Sequence, residues 1–241
     1  ATEMGNVTLV RQLLECGAST KDLNGDNLTP LVIATEKGDV ALVRELLEFG
    51  ASASDCNADG LTPFTIAVKQ GNSDLCEEFL RHGAGVNVAD QKGNTPLLVA
   101  TEMGNLELAS QLLEKGASVK VRNKEGLSPI SMAVKQGNSD LCEVFGVNAT
   151  DEEGNTPLLV AAELGNLSLV KTLLGKGGSV KVQNREGVTP FAIAVRQRHS
   201  EISKELLLRH EDLLEEAVVA AAEKGNIILY KELLNHGSSR A

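Results

Sequence analysis

Residues 93–125 read GNTPLLVATEMGNLELASQLLEKGASVKVRNKE, and the reading of this stretch decides the fold. Thr95 precedes Pro96, and a threonine hydroxyl there caps a helix whose first residue is proline, where the missing N–H is no loss. The helix runs about two turns to Gly104, which can take the left-handed conformation that ends it. Asn105 follows and can cap a second helix. In the copy of this pattern one period earlier but one, that second helix carries Val40, Leu42, Val43, Leu46 and Leu47 at helical spacing. Gly116 closes the pair, as Gly50, Gly83 and Gly177 do elsewhere. What remains, such as SASDCNADG at 52–60, is rich in turn formers and suits a hairpin-like loop. Neither helix is long enough to be stable alone, so each unit must bury its apolar face on its neighbours.

The pattern recurs along the chain. The six prolines, Pro30, Pro63, Pro96, Pro129, Pro157 and Pro190, are spaced 33, 33, 33, 28 and 33 residues apart, and each follows Thr or Ser. Alanine stands four residues after every one of them, at Ala34, Ala67, Ala100, Ala133, Ala161 and Ala194. Glycine stands eight after in five of the six, with Arg198 in its place in the last. A fixed period in this range is the signature of a solenoid.

Units of this form resemble ankyrin repeats, and the resemblance extends over essentially the whole chain. It implies an all-α ankyrin-repeat solenoid of paired antiparallel helices with hairpin-like finger loops. The boundaries read from it are a partial repeat at 1–27, repeats at 28–60, 61–93 and 94–126, a shortened repeat at 127–154, repeats at 155–187 and 188–210, and a C-terminal capping repeat at 211–241. ATEMGN at 1–6 repeats Ala100 to Asn105, so the array is expected to continue upstream of Ala1. One departure is general. The histidine that ankyrin units often carry two residues after the proline is replaced by Val32, Thr65, Leu98, Ser131, Leu159 and Ala192. The inter-unit hydrogen bonding usual in the family is therefore not expected here, while the fold is.

A second period lies on top. PFTIAVKQ, PISMAVKQ and PFAIAVRQ begin at Pro63, Pro129 and Pro190, and PLVIATEK, PLLVATEM and PLLVAAEL at Pro30, Pro96 and Pro157. The array thus reads as duplication of a pair of units. LCEVFGVNATD after Ser139 lines up with LCEEFLRHGAGVNVAD only if the equivalent of Leu80 to Ala84 is omitted. Such a loss should distort stacking, so five further residues after Phe145 are expected in the native chain.

The resemblance implies that the end of each first helix lies on a concave face beside the finger loops. Six residues after each proline stand Glu36, Lys69, Glu102, Lys135, Glu163 and Arg196. Long side chains of opposite charge could meet between units as a solvated ladder, each pair worth roughly 0–1 kcal/mol, or could meet a partner; the two readings are compatible. The next column holds Lys37, Gln70, Met103, Gln136, Leu164 and Gln197. Met103 and Leu164 are apolar at positions expected to be exposed, where they can seed an interface or stand as ordinary isolated surface residues. Asp59, Lys92, Glu125, Glu153 and Glu186 occupy the finger tips. Phe64, Phe79, Phe145 and Phe191 fall at core positions, Phe49 in an exposed turn.

Other functions find little support. There is no nucleotide-binding GxGxxG or GxxxxGK[ST], no CxxC pair among the four cysteines, and no clustered histidine, so catalytic residues, metal and cofactors are all read as none. A net charge of −10 without a basic block argues against nucleic acid. Five Phe, one Tyr and no Trp offer no stacking platform. The longest apolar run, Ala217 to Ala222, is too short to span a bilayer, so no direct membrane insertion is expected. The sequons at Asn6, Asn27, Asn148 and Asn166 read as by-products of Asn-rich turns. Cysteine usage and the absence of a basic, apolar leader suit a reducing cytoplasmic setting. The resulting expectation is a non-enzymatic scaffold or adaptor that binds a protein or peptide of mixed charge through the concave face and fingers. The alternative is a regulatory or targeting region of a larger enzyme whose catalytic domain lies outside this chain. Nothing in the sequence speaks to oligomeric state.

Overall fold

The computed structural model describes residues 1–57 and 60–209. Finger-tip Asp59, His210, His236 and the expected capping repeat at 211–241 lie outside the described residues. The described residues form helices, turns and loops without a strand. The chain divides into two compact units, Ala1–Leu127 and Ser128–Ala241.

The first unit holds a short 3-10 turn at Thr2–Met4 and seven α-helices: α1 (Val7–Glu15), α2 (Pro30–Glu36), α3 (Val40–Glu48), α4 (Pro63–Lys69), α5 (Ser73–Arg81), α6 (Pro96–Glu102) and α7 (Leu106–Glu114). Each starts where the sequence places a cap. The Thr29, Thr62 and Thr95 hydroxyls accept from the backbone N–H groups of Val32, Thr65 and Leu98 at 3.2–3.3 Å, and proline follows at the first helical position. Asp39, Asn72 and Asn105 accept from Leu42, Leu75 and Leu108 in the same way at 3.0–3.1 Å. Gly104 takes φ 68° between α6 and α7, the left-handed turn that sends the chain back.

Within this unit α2 packs on α3 and α4, α4 on α5 and α6, and α3 on α1 and α5. Short helices stack on short helices and long on long. Ala34, Ala67 and Ala100 are fully buried, because only a methyl group fits where neighbouring first helices approach. Phe64 and Phe79 fill the space between a helix pair, their ring centroids 6.4 Å apart and tilted by 59°. Burying such a side chain contributes roughly 1.5–3 kcal/mol, and stacking rather than helix propensity stabilises helices of seven residues. Thr35 and Thr101, buried within α2 and α6, donate to the Leu31 and Leu97 carbonyls at 2.7 Å and so leave no hydroxyl orphaned.

The second unit repeats the scheme in α8 (Pro129–Lys135), α9 (Ser139–Val144), α10 (Pro157–Glu163), α11 (Leu167–Gly175), α12 (Pro190–Arg196) and α13 (Ser200–Arg209). Here α10 packs on α8, α11 and α12, and α13 on α11 and α12. The chain closes α9 at six residues, Gly146 turns it at φ 94°, and Leu141, Cys142 and Phe145 are buried. Shortening the helix by one turn removes its outer end and keeps the residues that face the core. At the glycine position of the last pair, Arg198 adopts φ 62°, one of two non-glycine residues with positive φ among those described.

Candidate functional site

All six residues at the ends of the first helices, Glu36, Lys69, Glu102, Lys135, Glu163 and Arg196, are exposed. Among the described residues of the first unit the side chains of Glu36 and Lys69 form no ion pair, and among those of the second unit neither do Lys135, Glu163 and Arg196.

The next column is split in its behaviour. Lys37 Nζ donates to the Glu3 carbonyl, and Gln70 Nε2 donates to the Glu36 carbonyl at 2.9 Å, each thirty-four residues back. These two side chains cap the last turn of the preceding first helix and tie repeat to repeat. His199 does the equivalent in the second unit, its Nε2 lying 3.1 Å from the Glu163 carbonyl while its ring covers Gly165. Met103 and Leu164 have no donor to offer. They are exposed at 46% and 49%, and Leu106 lies exposed beside Met103 at the start of α7. Gln136 and Gln197 are exposed as well.

Fingers are built on an Asx turn. The Asp90 carboxylate accepts from Lys92 N and Asn94 N at 2.9 and 2.8 Å, and Asn123, Asp151 and Asn184 serve their own loops alike. Successive fingers are then joined. Lys124 N donates to the Lys92 carbonyl at 2.9 Å, and Asn123 Nδ2 to Asn94 Oδ1 at 2.9 Å. The second unit has the same ties from Arg185 N to the Glu153 carbonyl at 2.8 Å and from Asn184 Nδ2 to Asn155 Oδ1 at 3.0 Å. Asn87 and Asn148 add two bonds each, to the Gly116 carbonyl and Ser118 N and to the Gly177 carbonyl and Ser179 N. Bonds between repeats are thus supplied here by asparagines of the finger loops. The tips Lys92, Glu125, Glu153 and Glu186 are all exposed.

Electrostatic contacts between repeats run instead along the longer helices, which sequence reading missed. Arg11 Nε donates to Glu45 Oε1 at 2.8 Å, Arg44 Nη2 to Glu78 Oε2 at 3.1 Å, and Lys171 stands 3.7 Å from Glu205. The signal was legible: a cation and a glutamate at the same helix positions, thirty-four residues apart in each case. Glu78 is 3% exposed. The hydrogen bond from Arg44 holds its carboxyl below the usual range, helped by the charges of Arg44, Arg81 and His82 and opposed by burial. The shortened α9 has its own pair, Lys176 with Asp140 and Glu143.

Other reactive groups are structural. His82 ends α5, its Nδ1 3.0 Å from the Glu78 carbonyl. Burial pushes the Cys76 thiol up to about 12 and the Cys142 thiol up to about 11, while Cys16 and Cys56 are exposed. Asn6 and Asn166 cap helices, and Asn148 ties repeats, so three of the four sequons hold their asparagine in local bonds. Among the described residues no group of His, Cys, Asp and Glu is arranged to hold a metal, and no helix is long and apolar enough to cross a membrane.

A family model described as ankyrin repeats (3 copies) matches residues 1–90, 41–123, 64–148 and 123–216. Among solved structures the chain is similar to the crystal structure of the ankyrin repeat domain of Bcl-3, a unique member of the IkappaB protein family. The TM-score is 0.69 at 27% identity, with 85% of this chain and 96% of that one covered. Among curated proteins it is 30% identical over 92 residues to the ankyrin repeat and KH domain-containing protein mask-1 of Caenorhabditis elegans. That match takes in 36% of this chain and 3% of the relative, so the chain spans a small fraction of the relative's length.

Proposed function

This chain belongs to the ankyrin-repeat family, and from that premise we propose that it is a non-enzymatic scaffold or adaptor module. Its binding surface is made of the exposed first-helix ends and the finger loops on the concave side. The observation that supports this is a half-exposed apolar group at the equivalent place in each unit, Met103 following exposed Glu102 in the first and Leu164 following exposed Glu163 in the second. Lys37 and Gln70 belong to the frame of this surface more than to its contacts, because their donors already serve carbonyls of the chain. Neither charge sign dominates the first-helix ends, so the fitting partner is a protein segment of mixed charge with a few apolar anchors. With no Trp in the chain and its single tyrosine, Tyr230, outside the described residues, this surface has no Trp or Tyr to act as a hot spot, and the affinity is moderate.

The test begins with capture of the partner from native lysate and continues with its affinity for the wild type, for a Met103→Glu, Leu164→Glu variant and for charge reversals at Lys69, Lys135 and Arg196. The apolar replacements are expected to weaken binding by more than about 1 kcal/mol with melting temperature nearly unchanged, since exposed sites contribute little to folding. Unchanged affinity with a clear loss of stability would place Met103 and Leu164 in the stacking core and remove this surface from consideration.

A further inference from the structure

The paired fingers of the two units share one hydrogen-bond scaffold and carry opposite charge. In the first unit, residues 87–94 and 118–126 hold Lys92, Lys120, Arg122 and Lys124 against Asp90 and Glu125. In the second, residues 148–155 and 179–187 hold Asp151, Glu152, Glu153 and Glu186 against Lys181 and Arg185. The cationic pair is an exception in a chain of net charge −10.

Its lysines are also uncommitted. Along the longer helices, cations face carboxylates: Arg11, Arg44, Arg81 and Lys171 each have a glutamate within 4.0 Å. Lys92, Lys120 and Lys124 are exposed, and among the described residues their ammonium groups have no carboxylate or carbonyl partner. Asp90, the nearest acid in sequence to Lys92, turns inward, with Oδ1 taken by Lys92 N and Asn94 N and Oδ2 by Asn94 Nδ2. The loops that carry the lysines are rigidly joined. The Lys124 N to Lys92 carbonyl bond sets the two tips side by side, and Asn87 bonds Gly116 and Ser118 at the base of the finger that carries Lys120. Val88, next to Asn87, is exposed and gives the patch one apolar spot.

We infer that this finger pair is a docking site for an acidic segment of a protein partner, held by Lys92, Lys120 and Lys124 with an apolar side chain against Val88. The inference rests on the reading of the chain as a protein-binding module and assigns the acidic part of its partner to one place. Joined loops lower the backbone ordering cost at binding, leaving that of the lysine side chains, and unpaired ammonium groups need not break an internal pair first. Charge complementarity then speeds encounter and rejects basic segments, while the inverted finger pair of the second unit disfavours the same ligand. A protein segment fits better than a nucleic acid strand. Its fingers hold no aromatic ring on which bases could stack, whereas Val88 offers an apolar spot that suits a side chain of a peptide.

The probe is a Glu/Asp decapeptide with one central leucine, titrated into the isotope-labelled 241-residue chain. An all-lysine decapeptide and decathymidylate serve as comparisons. The expected result is movement of amide resonances at 87–94 and 118–126 with the acidic peptide alone. Binding should weaken by about tenfold or more at high salt and by about tenfold or more in a K92E/K120E/K124E variant whose melting temperature is unchanged. Three results would overturn the inference: no response at these fingers, undiminished binding by the triple variant, or tighter binding of decathymidylate that the triple variant loses. The reading of Met103 and Leu164 fails separately, through their own variants and the captured partner.

Discussion

Arg44 reaches forward to Glu78 in the next repeat, Nη2 to Oε2 at 3.1 Å, and the acceptor is almost wholly buried although the donor is largely exposed. The same thirty-four-residue step joins Arg11 to Glu45. Each glutamate is thus taken out of water beneath a guanidinium that stays in it. The outer layer of the first unit is stitched by charge-assisted hydrogen bonds, which are stronger than neutral ones.

Glu78 should therefore make stability depend on pH in the acid range. Arg44 and its neighbours hold the folded carboxyl below its unfolded value of about 4.3, so the contribution is fully present above that value. It is lost as pH falls through the lower folded value. Urea unfolding of Glu78→Gln should show a deficit against wild type at neutral pH that narrows near pH ~3. A deficit of equal size at both pH values would mean that the carboxylate's charge is not what stabilises.

Thiol reactivity should separate the four cysteines into two pairs. Cys16 and Cys56 are exposed, whereas Cys76 and Cys142 are buried with thiols raised to about 12 and about 11. Only a thiolate attacks a disulfide reagent, so the native chain at neutral pH should release two equivalents quickly and two only on unfolding. Four fast equivalents would contradict the burial of α5 and α9.

Gly93 should tolerate no side chain. It takes φ 80°, and a Cβ there would stand 3.1 Å from the backbone of Asn123 and Lys124 in the next finger. Gly93→Ala should cost about 1–3 kcal/mol through left-handed strain and a forced separation of the fingers. Gly25→Ala, where nothing lies within 4 Å and φ is unremarkable, should be near neutral. Chemical denaturation of both variants tests the contrast, and amide exchange at Lys124 should accelerate only in the first.

Arg198 offers the opposite case. It holds φ 62° at the turn between α12 and α13, where the other pairs have glycine. Arg198→Gly should raise stability by up to about 1 kcal/mol, because the left-handed conformation costs a residue with a Cβ about that much. An unchanged or lowered melting temperature would show that the arginine side chain offsets its own strain.

How much of this was legible follows from the reach of each interaction. The hydroxyl of Thr95 bonds the N–H of Leu98, and the amide of Asn105 bonds that of Leu108, so donor and acceptor are three letters apart. The apolar positions of α3 and α5 recur every three or four residues because a helix does. Caps, turns, the helix pair and its buried alanines were therefore determined by the sequence itself, down to the proline that opens each first helix. Met103 and Leu164 were legible as exposed for the same reason, since they stand between a helix end and its glycine.

Tertiary structure decided what faces what between repeats. A 33-residue period suggests that equivalent positions meet, and on that basis Glu36 was set against Lys69. The stack is offset by one residue, so the pairs that form are Arg44 with Glu78 and Gln70 with the Glu36 carbonyl, thirty-four apart. Length matters too: a lysine or glutamine at the seventh position reaches back to an open carbonyl, while a methionine at the same position has no polar group to satisfy there and remains at the surface. The fingers show the same division. Their Asx turns were written in adjacent residues. That Lys92 and Lys124 are drawn together by a backbone bond, leaving both ammonium groups in water, emerges only when the loops are stacked.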